Sequence, residues 1–249
     1  MLGTYKRTDA PMANLRITRL GHGGVLYRSP NDAWVWVDRW TGAPNYADAY
    51  RTPEKVSVVA PTHCHFDHVG DDLVDLIELA RVEGAVTIGS HEMSVFLGAK
   101  GVEAVGMNAG GTFEAAGIGF TMVTAVHTGG ATLGTGADQV TRDLGCWGWV
   151  LEFEDGTTVY HSGDTDVFGD MRLVGEQHHP EIAVLPIGGH YTMGPRGAGL
   201  ALDMTGASTV IPIHYATFPA LAGTPEQLRD HTSAEVIALE PGETWEAQP

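Results

Sequence analysis

The order of apolar and polar residues predicts strands that alternate with helices, as in an α/β fold. A β-branched run at residues 56–60 stops at Pro61 and predicts a buried strand. Residues 71–81 repeat apolar side chains at helical spacing and predict a helix. Further strand-like runs occupy residues 120–126, 149–159, 181–185 and 210–213, and an Asp-Gly turn signal makes the second a hairpin. Five tryptophans in strand-like stretches are predicted to pack in the sheets: Trp34, Trp36, Trp40, Trp147 and Trp149.

Three histidines and an aspartate follow the first predicted strand within six positions, from His63 to His68. In an extended segment His63 and His65 point the same way, so both imidazoles can reach one ion, whereas Cys64 points away as a buried, inert thiol. Asp67 and His68 lie beyond the bend and can reach a second ion. Two ions about 3.5–4 Å apart can activate a shared water. The cluster therefore predicts a metal-dependent hydrolase, and its density at a strand-to-helix junction disfavours a solvated turn.

This segment resembles the HxHxDH signature of the metallo-β-lactamase superfamily. The resemblance implies a four-layer αββα sandwich with the metal site at one edge of the sheets. It implies that seven residues hold two divalent ions: His63, His65 and His127 on the first, Asp67, His68 and His214 on the second, and Asp164 as a bridge between them. A His/Asp set accepts Zn or Mn, and Fe is also compatible.

The resemblance is closer to a compact branch of "metal-dependent hydrolases", which is similar to the UlaG-like lactonases that open L-ascorbate 6-phosphate. The resemblance spans residues 15–243 and is most specific in five sequence segments: 107–112, 161–165, 168–171, 186–195 and 213–219. Two departures lie beside proposed ligands. His190 and Tyr191 stand where the branch has Asn and Phe, and the loop at residues 129–141 is longer and richer in glycine. These departures leave the metal site intact and the substrate open.

The resemblance implies a water that bridges two cations and is available as hydroxide to attack a carbonyl or phosphorus centre. Asp67 and Asp164 belong to this catalytic set. His190 is the first candidate for protonating the leaving oxygen, since an imidazole suits acid catalysis near neutral pH. Four residues are candidates for contact with substrate: His22, His190, Tyr191 and Tyr215. His161 is expected to support Asp164.

Three functions fit the cluster. The first is hydrolysis of a lactone or ester of a small metabolite, with or without a phosphate group. The second is a phosphodiesterase for a small cyclic or lipid phosphodiester. The third, a diiron redox protein, is disfavoured because that branch resembles HxExDH and residue 65 is histidine.

Length and composition agree with a single domain over residues 1–249, whose two ββα-like halves would meet near residues 129–143. The 31 acidic and 14 basic residues give a net charge of −17, which disfavours nucleic acid as a partner and leaves a small molecule. Two cysteines make no disulfide framework, residues 1–7 lack the apolar stretch of a secretion signal, and no membrane-spanning run occurs. The expected location is the cytoplasm, and a homo-oligomer is compatible with the sequence.

Overall fold

The computed structural model describes residues 14–247 of the chain. Within them the strands are, in chain order, β1 (Arg16–Gly21), β2 (Gly24–Arg28), β3 (Trp34–Val37), β4 (Val58–Val59), β5 (Val86–Ser90), β6 (Val105–Met107), β7 (Thr112–Ala115), β8 (Ile118–Thr124), β9 (Gly130–Leu133), β10 (Val140–Asp143), β11 (Trp147–Glu152), β12 (Thr158–His161), β13 (Ile182–Pro186), β14 (Thr209–Ile213), β15 (Glu235–Val236) and β16 (Thr244–Glu246). The helices are α1 (Phe66–Val69), α2 (Val74–Ala80), α3 (His91–Gly98), α4 (Met171–His178), α5 (Pro195–Thr205) and α6 (Pro225–Arg229).

Two seven-stranded sheets carry most of these strands. The first has the order β16-β1-β2-β3-β4-β5-β6, and the second has the order β15-β14-β13-β12-β11-β8-β7. In both sheets an antiparallel group passes into a parallel one, at β3 in the first sheet and at β12 in the second. The short strands β9 and β10 pair with each other as a separate antiparallel hairpin.

Two cores hold the layers together. The larger core joins side chains of both sheets and continues under α2 and α3, whereas the smaller one lies between the second sheet and helices α4 to α6. Strand β13 shows why both exist, because its side chains alternate: Ile182 and Val184 enter the larger core, and Ala183 and Leu185 enter the smaller one. A sheet with two apolar faces needs cover on each, and the predicted four-layer sandwich is confirmed.

The predicted hairpin at residues 149–159 is also confirmed. Strands β11 and β12 pair antiparallel. Their turn is closed by the Phe153 N–H, which donates to the Thr157 carbonyl over 2.9 Å, and Gly156 takes the left-handed φ of 94° that favours glycine.

Three expectations need correction. The helix predicted from residue 71 begins at Val74, because Asp72 and Leu73 have left-handed φ values of 53° and 63° and interrupt it. The segment predicted as a loop at residues 129–141 contains most of the β9–β10 hairpin. The chain passes from the first sheet to the second between β6 and β7, so the predicted meeting point at residues 129–143 lies inside the second half, between β8 and β11, which pair with each other.

Four of the five tryptophans lie in β3 and β11 as predicted, but Trp40 lies in the loop after β3 and is only half-buried. No helix in residues 14–247 has the length and apolar character needed to cross a membrane. The segment 1–7, where no secretion signal is expected, lies outside the described residues.

Candidate metal centre

The seven residues proposed as ligands converge at one edge of the two sheets. They lie just beyond the ends of four strands: His63 and His65 in the loop after β4, Asp67 and His68 in the following helix α1, His127 after β8, Asp164 after β12, and His214 after β14. Helix α1 is only four residues long, and it turns Asp67 and His68 away from the extended segment before it. The strand-end positions predicted from the sequence therefore bring donors from both sheets together.

The first group of donors consists of His63, His65 and His127, whose ligand atoms lie within 4.8 Å of one another. The Nδ1 atom of His65 is 3.0 Å from His63 Nε2 and 3.3 Å from His127 Nε2. Three imidazole nitrogens that face one another at this spacing can share one cation.

The second group consists of Asp67, His68 and His214. The His214 Nε2 atom is 3.8 Å from Asp67 Oδ2. Asp164 Oδ2 lies 3.0 Å from His214 Nε2, 3.3 Å from His68 Nε2, and 3.7 Å from His127 Nε2 of the first group. One oxygen of Asp164 therefore faces both groups.

Besides the distances between donor atoms, missing hydrogen bonds indicate that these residues fit divalent cations. Within residues 14–247, the buried atoms His68 Nε2, His214 Nε2 and Asp164 Oδ1 have no hydrogen-bond partner. Buried polar atoms are normally satisfied, and a cation coordinated by these groups would satisfy them. The His/Asp cluster is thus able to bind metal.

Asp38 orients two of the imidazoles and was missed in the sequence. Its carboxylate accepts hydrogen bonds from the Thr62 N–H at 2.8 Å, the Thr62 hydroxyl at 2.6 Å and His68 Nδ1 at 3.0 Å. Because the Thr62 hydroxyl donates to Asp38, it accepts from His63 Nδ1, 3.0 Å away. In its neutral form each ring therefore carries its hydrogen on Nδ1 and presents Nε2 to the centre as a lone pair. The available signal was the position of Asp38 directly after β3, another strand end.

The profile of one protein family, the beta-lactamase superfamily domain, matches residues 33–215, a range that contains all seven donors. The chain belongs to this family. Among its relatives is a UPF0173 metal-dependent hydrolase of Chloroflexus aurantiacus, which is 40% identical over 242 residues and covers 93% of this chain and 97% of that protein. The chain is thus a metal-dependent hydrolase of the metallo-β-lactamase superfamily.

Solved structures agree with this family. A metallo hydrolase from the hyperthermophilic archaeon Ignicoccus hospitalis aligns with a TM-score of 0.78 and 32% identity, over 94% of this chain and all (100%) of that one. The metallo-beta-lactamase fold protein YhfI from Bacillus subtilis aligns with a TM-score of 0.70 over 94% of this chain and 100% of that one. Its identity is 18%, so it supports the fold alone.

Charge in the centre of this superfamily member is balanced between carboxylates and imidazoles. Burial acts to raise the pKa of Asp164, but His68 and His214 outweigh it and hold that pKa well below its usual range. Burial acts to lower the pKa of His68, but Asp164 and Asp38 outweigh it and raise that pKa well above the ordinary value. A cation that binds here displaces protons from these imidazoles, so its affinity falls as the pH falls.

His22, a predicted substrate contact, is fully buried against the second group of donors. Its Nε2 is 3.1 Å from Asp67 Oδ2, its Nδ1 is 2.9 Å from the Thr217 hydroxyl, and its carbonyl accepts from the His214 N–H at 3.0 Å. A carboxylate only accepts, so Nε2 carries the hydrogen and holds Asp67 in place. Burial lowers the pKa of His22 to about 4, which keeps the ring neutral near pH 7.

Replacing His22 by Ala is expected to weaken cation binding by about 10- to 100-fold, because Asp67 loses the donor that orients it. Metal titration of the purified protein measures this. His22→Gln, which keeps a donor, should recover part of the affinity. His161→Ala is the matched control, since it also removes a buried imidazole; equal losses in His22→Ala and His161→Ala would contradict the orienting role.

The three other residues predicted to contact substrate differ in their solvent exposure. Tyr215 is buried, and its hydroxyl accepts from Arg19 Nη1 at 3.0 Å while the guanidinium lies 4.2 Å from its ring centre. His190 and Tyr191 are exposed at the tip of a loop. That loop is closed by the Gly189 N–H, which donates to the Met193 carbonyl at 3.2 Å, and it is tied beside Asp164 by the Met193 N–H, 3.0 Å from the Thr165 carbonyl.

The expectations for Cys64 and His161 have different outcomes. The thiol of Cys64 is buried as predicted, and burial raises its pKa to about 12. His161 was expected to support Asp164. Its Nδ1 instead lies 2.7 Å from the Tyr27 hydroxyl, which is a link between the two sheets.

Proposed function

We propose that this protein is a hydrolase that uses two divalent cations, Zn or Mn, to open a lactone or cleave an ester of a small metabolite. The observation that carries the proposal is the position of Asp164 Oδ2, which lies 3.7 Å or less from imidazole nitrogens of both donor groups. A carboxylate so placed can belong to two cation sites at once. The sequence segments around Asp164 and His214 resemble those of lactonases and support the substrate class. The acidic net charge of −17 favours a small molecule over nucleic acid as the substrate.

Two cations in these groups would supply an acidified water as nucleophile and positive charge for the oxygen of the transition state. The chain itself fixes the geometry. Asp38 and Thr62 set the tautomers of His68 and His63, and His22 orients Asp67. The Asp67 side chain is 16% exposed and that of Asp164 is 3% exposed, so Asp67 is the carboxylate that can accept a hydrogen bond from water at the mouth of the site.

Protonation of the leaving oxygen is assigned to His190 in this proposal. Its exposed loop is tied beside Asp164, and its ring centre lies 4.5 Å from that of Tyr191. An imidazole exchanges protons readily near neutral pH, and an exposed ring can follow a substrate into the site.

Replacing His190 by Asn should lower kcat by about 10²-fold and change the pH dependence of the rate, because an amide cannot protonate the leaving oxygen. The fold should be kept, because His190 has a left-handed φ of 59° and Asn tolerates that region. The pH dependence of kcat measures the effect. His179→Asn is the matched control, since His179 is also exposed and has a φ of 47°. A profile unchanged in His190→Asn would remove His190 from the mechanism.

The proposed function is tested by turnover of a phosphorylated sugar lactone, simple lactones and an aryl phosphodiester. Protein loaded with Mn or Zn is compared with Asp164→Ala as the blank. Lactone opening that is absent in the blank supports the proposal. Cleavage of the phosphodiester alone would replace it with the phosphodiesterase alternative.

A further inference from the structure

Three aromatic side chains form a continuous apolar surface beside the second group of donors. Trp40 lies in the loop after β3, Phe66 begins α1, and Phe218 lies in the loop after β14. The Trp40 ring meets Phe66 edge to face, with 5.5 Å between ring centres and an angle of 88°. It also meets Phe218 at 6.0 Å with an angle of 36°. We call these three residues the aromatic lip.

The aromatic lip is joined to the centre through the chain and through His22. Phe66 lies between His65 of the first group and Asp67 of the second, and Phe218 follows His214 by four residues. The His22 ring, which is bonded to Asp67, lies 5.3 Å from the Trp40 ring and 5.6 Å from the Phe218 ring. A molecule on the lip is therefore next to the donors of the second group.

The exposure of the lip distinguishes it from the packed aromatics of this fold. Phe66 is 45% exposed and the other two rings are half-buried, whereas the four sheet tryptophans are at most 7% exposed. Within residues 14–247 the Trp40 indole N–H donates to no protein group; the N–H of Trp147 also lacks an acceptor, but it is buried, whereas Trp40 is only half-buried. The lip thus combines apolar area with one free donor, which suits a ligand that is mostly apolar.

The distribution of cationic side chains stacked on aromatic rings favours an uncharged ligand at the lip. In the part of the chain that the structure describes, guanidinium or ammonium groups stack on Tyr215, Trp34, Tyr46 and Phe96, and none stacks on a ring of the lip. A phosphate bound against these rings would lose part of its hydration, and no guanidinium or ammonium group stacked on the rings would compensate for that loss, which is unfavourable. An alkyl or aryl group placed there would bury apolar area and gain binding free energy.

We propose that the aromatic lip binds an alkyl or aryl group of the substrate, so that the enzyme acts on an apolar lactone or ester rather than on a phosphorylated sugar acid. This inference rests on the proposed hydrolase function and narrows its substrate class. The lip holds the apolar group while the carbonyl lies over the donors.

The test compares two lactones with the same ring, δ-decanolactone with a pentyl tail and δ-valerolactone without one, beside a phosphorylated sugar lactone. For the metal-loaded protein, kcat/KM should be roughly tenfold or more higher for the tailed lactone, and the gain should lie mainly in KM. Equal values for the two lactones, or a preference for the phosphorylated one, would overturn the lip as a substrate site but leave the hydrolase standing. Failure to turn over any lactone or ester would overturn the hydrolase proposal and the lip with it.

The residue that carries the preference is tested with Phe66→Ala, whose exposed ring can be removed with little effect on folding. The ratio of kcat/KM for δ-decanolactone to kcat/KM for δ-valerolactone should fall about fivefold, because only the tailed lactone can contact the removed ring. Phe66→Leu should keep most of the preference. Val95→Ala on α3, which is 60% exposed, is the control for loss of an exposed apolar side chain. An unchanged ratio in Phe66→Ala, or loss of a dimer on a sizing column without any kinetic change, would assign the lip to another occupant.

Discussion

Asp164→Ala is expected to bind less metal and to lose turnover by on the order of 10³-fold or more, the largest effect of any single replacement in this chain. The reason is that Asp164 Oδ2 lies 3.0 Å from His214, 3.3 Å from His68 and 3.7 Å from His127. The replacement removes the one carboxylate that faces both donor groups and leaves Asp67 as the remaining carboxylate of the second group. Metal content after dialysis and turnover of a lactone by the same preparation measure the two parts of the effect.

Two variants make this result specific. Asp164→Asn keeps the size of the side chain and removes its charge, so it should resemble Asp164→Ala if charge is what holds the cations. Asp166→Ala is the matched control, because Asp166 is an exposed aspartate two residues further along the same loop. Retention of two cations and full turnover in Asp164→Ala would exclude a role for Asp164 in both sites.

The positions of the donors could be predicted because each depends on local pattern. The family resemblance supplied the ligand set, and the strand-like runs before His127 and His214 then placed both residues at the ends of strands, where a sheet displays its ligands. The hairpin around Gly156 was predictable for the same reason, since its turn chemistry is local.

Residues that act through long-range contacts could not be predicted in this way. Asp38 contacts His68, which lies 30 positions later in the chain, and His22 contacts Asp67, which lies 45 positions later. The sequence shows that Asp38 follows a strand, but it does not show either pairing. His22 was consequently interpreted as a substrate contact, although the structure buries it against Asp67. The start of α2 was missed because Asp72 and Leu73 take left-handed conformations that helical periodicity does not reveal.

The position of Trp40 also depends on long-range contacts, and it bears on which substrate is expected. Its strand-like neighbours predicted a packed position, but the chain leaves β3 at Val37 and carries Trp40 to the edge of the site. There it contacts Phe66, the first residue of α1, and Phe218, which lies in the loop after β14. The aromatic lip forms where three separate strand ends meet, and it is the basis for proposing an apolar substrate where the sequence left the presence of a phosphate group undecided.

Gly188→Ala is expected to lower turnover by on the order of 10²-fold and to destabilise the protein by about 1–3 kcal/mol, although residue 188 is no ligand. Gly188 follows β13, and a Cβ atom there would overlap the carbonyl oxygen of His214 and lie 3.0 Å from side-chain atoms of Leu221. His214 has little freedom to retreat, because its N–H donates to the His22 carbonyl at 3.0 Å on another side and its φ is already left-handed at 55°. The added methyl group must therefore displace the His214 ring or the loop that carries it.

Metal stoichiometry, kcat and the melting temperature of the metal-free Gly188→Ala protein measure this effect. If the centre holds two cations as proposed, the cation lost should be the one assigned to Asp67, His68 and His214, and one equivalent should remain. Gly169→Ala is the control, because Gly169 also lies in a loop after a strand and has no left-handed φ, but it is exposed and offers open space to a Cβ atom. Two bound equivalents with unchanged kcat in Gly188→Ala would show that the backbone of His214 can move without moving its ring, and that the second donor group tolerates more displacement than its contacts imply.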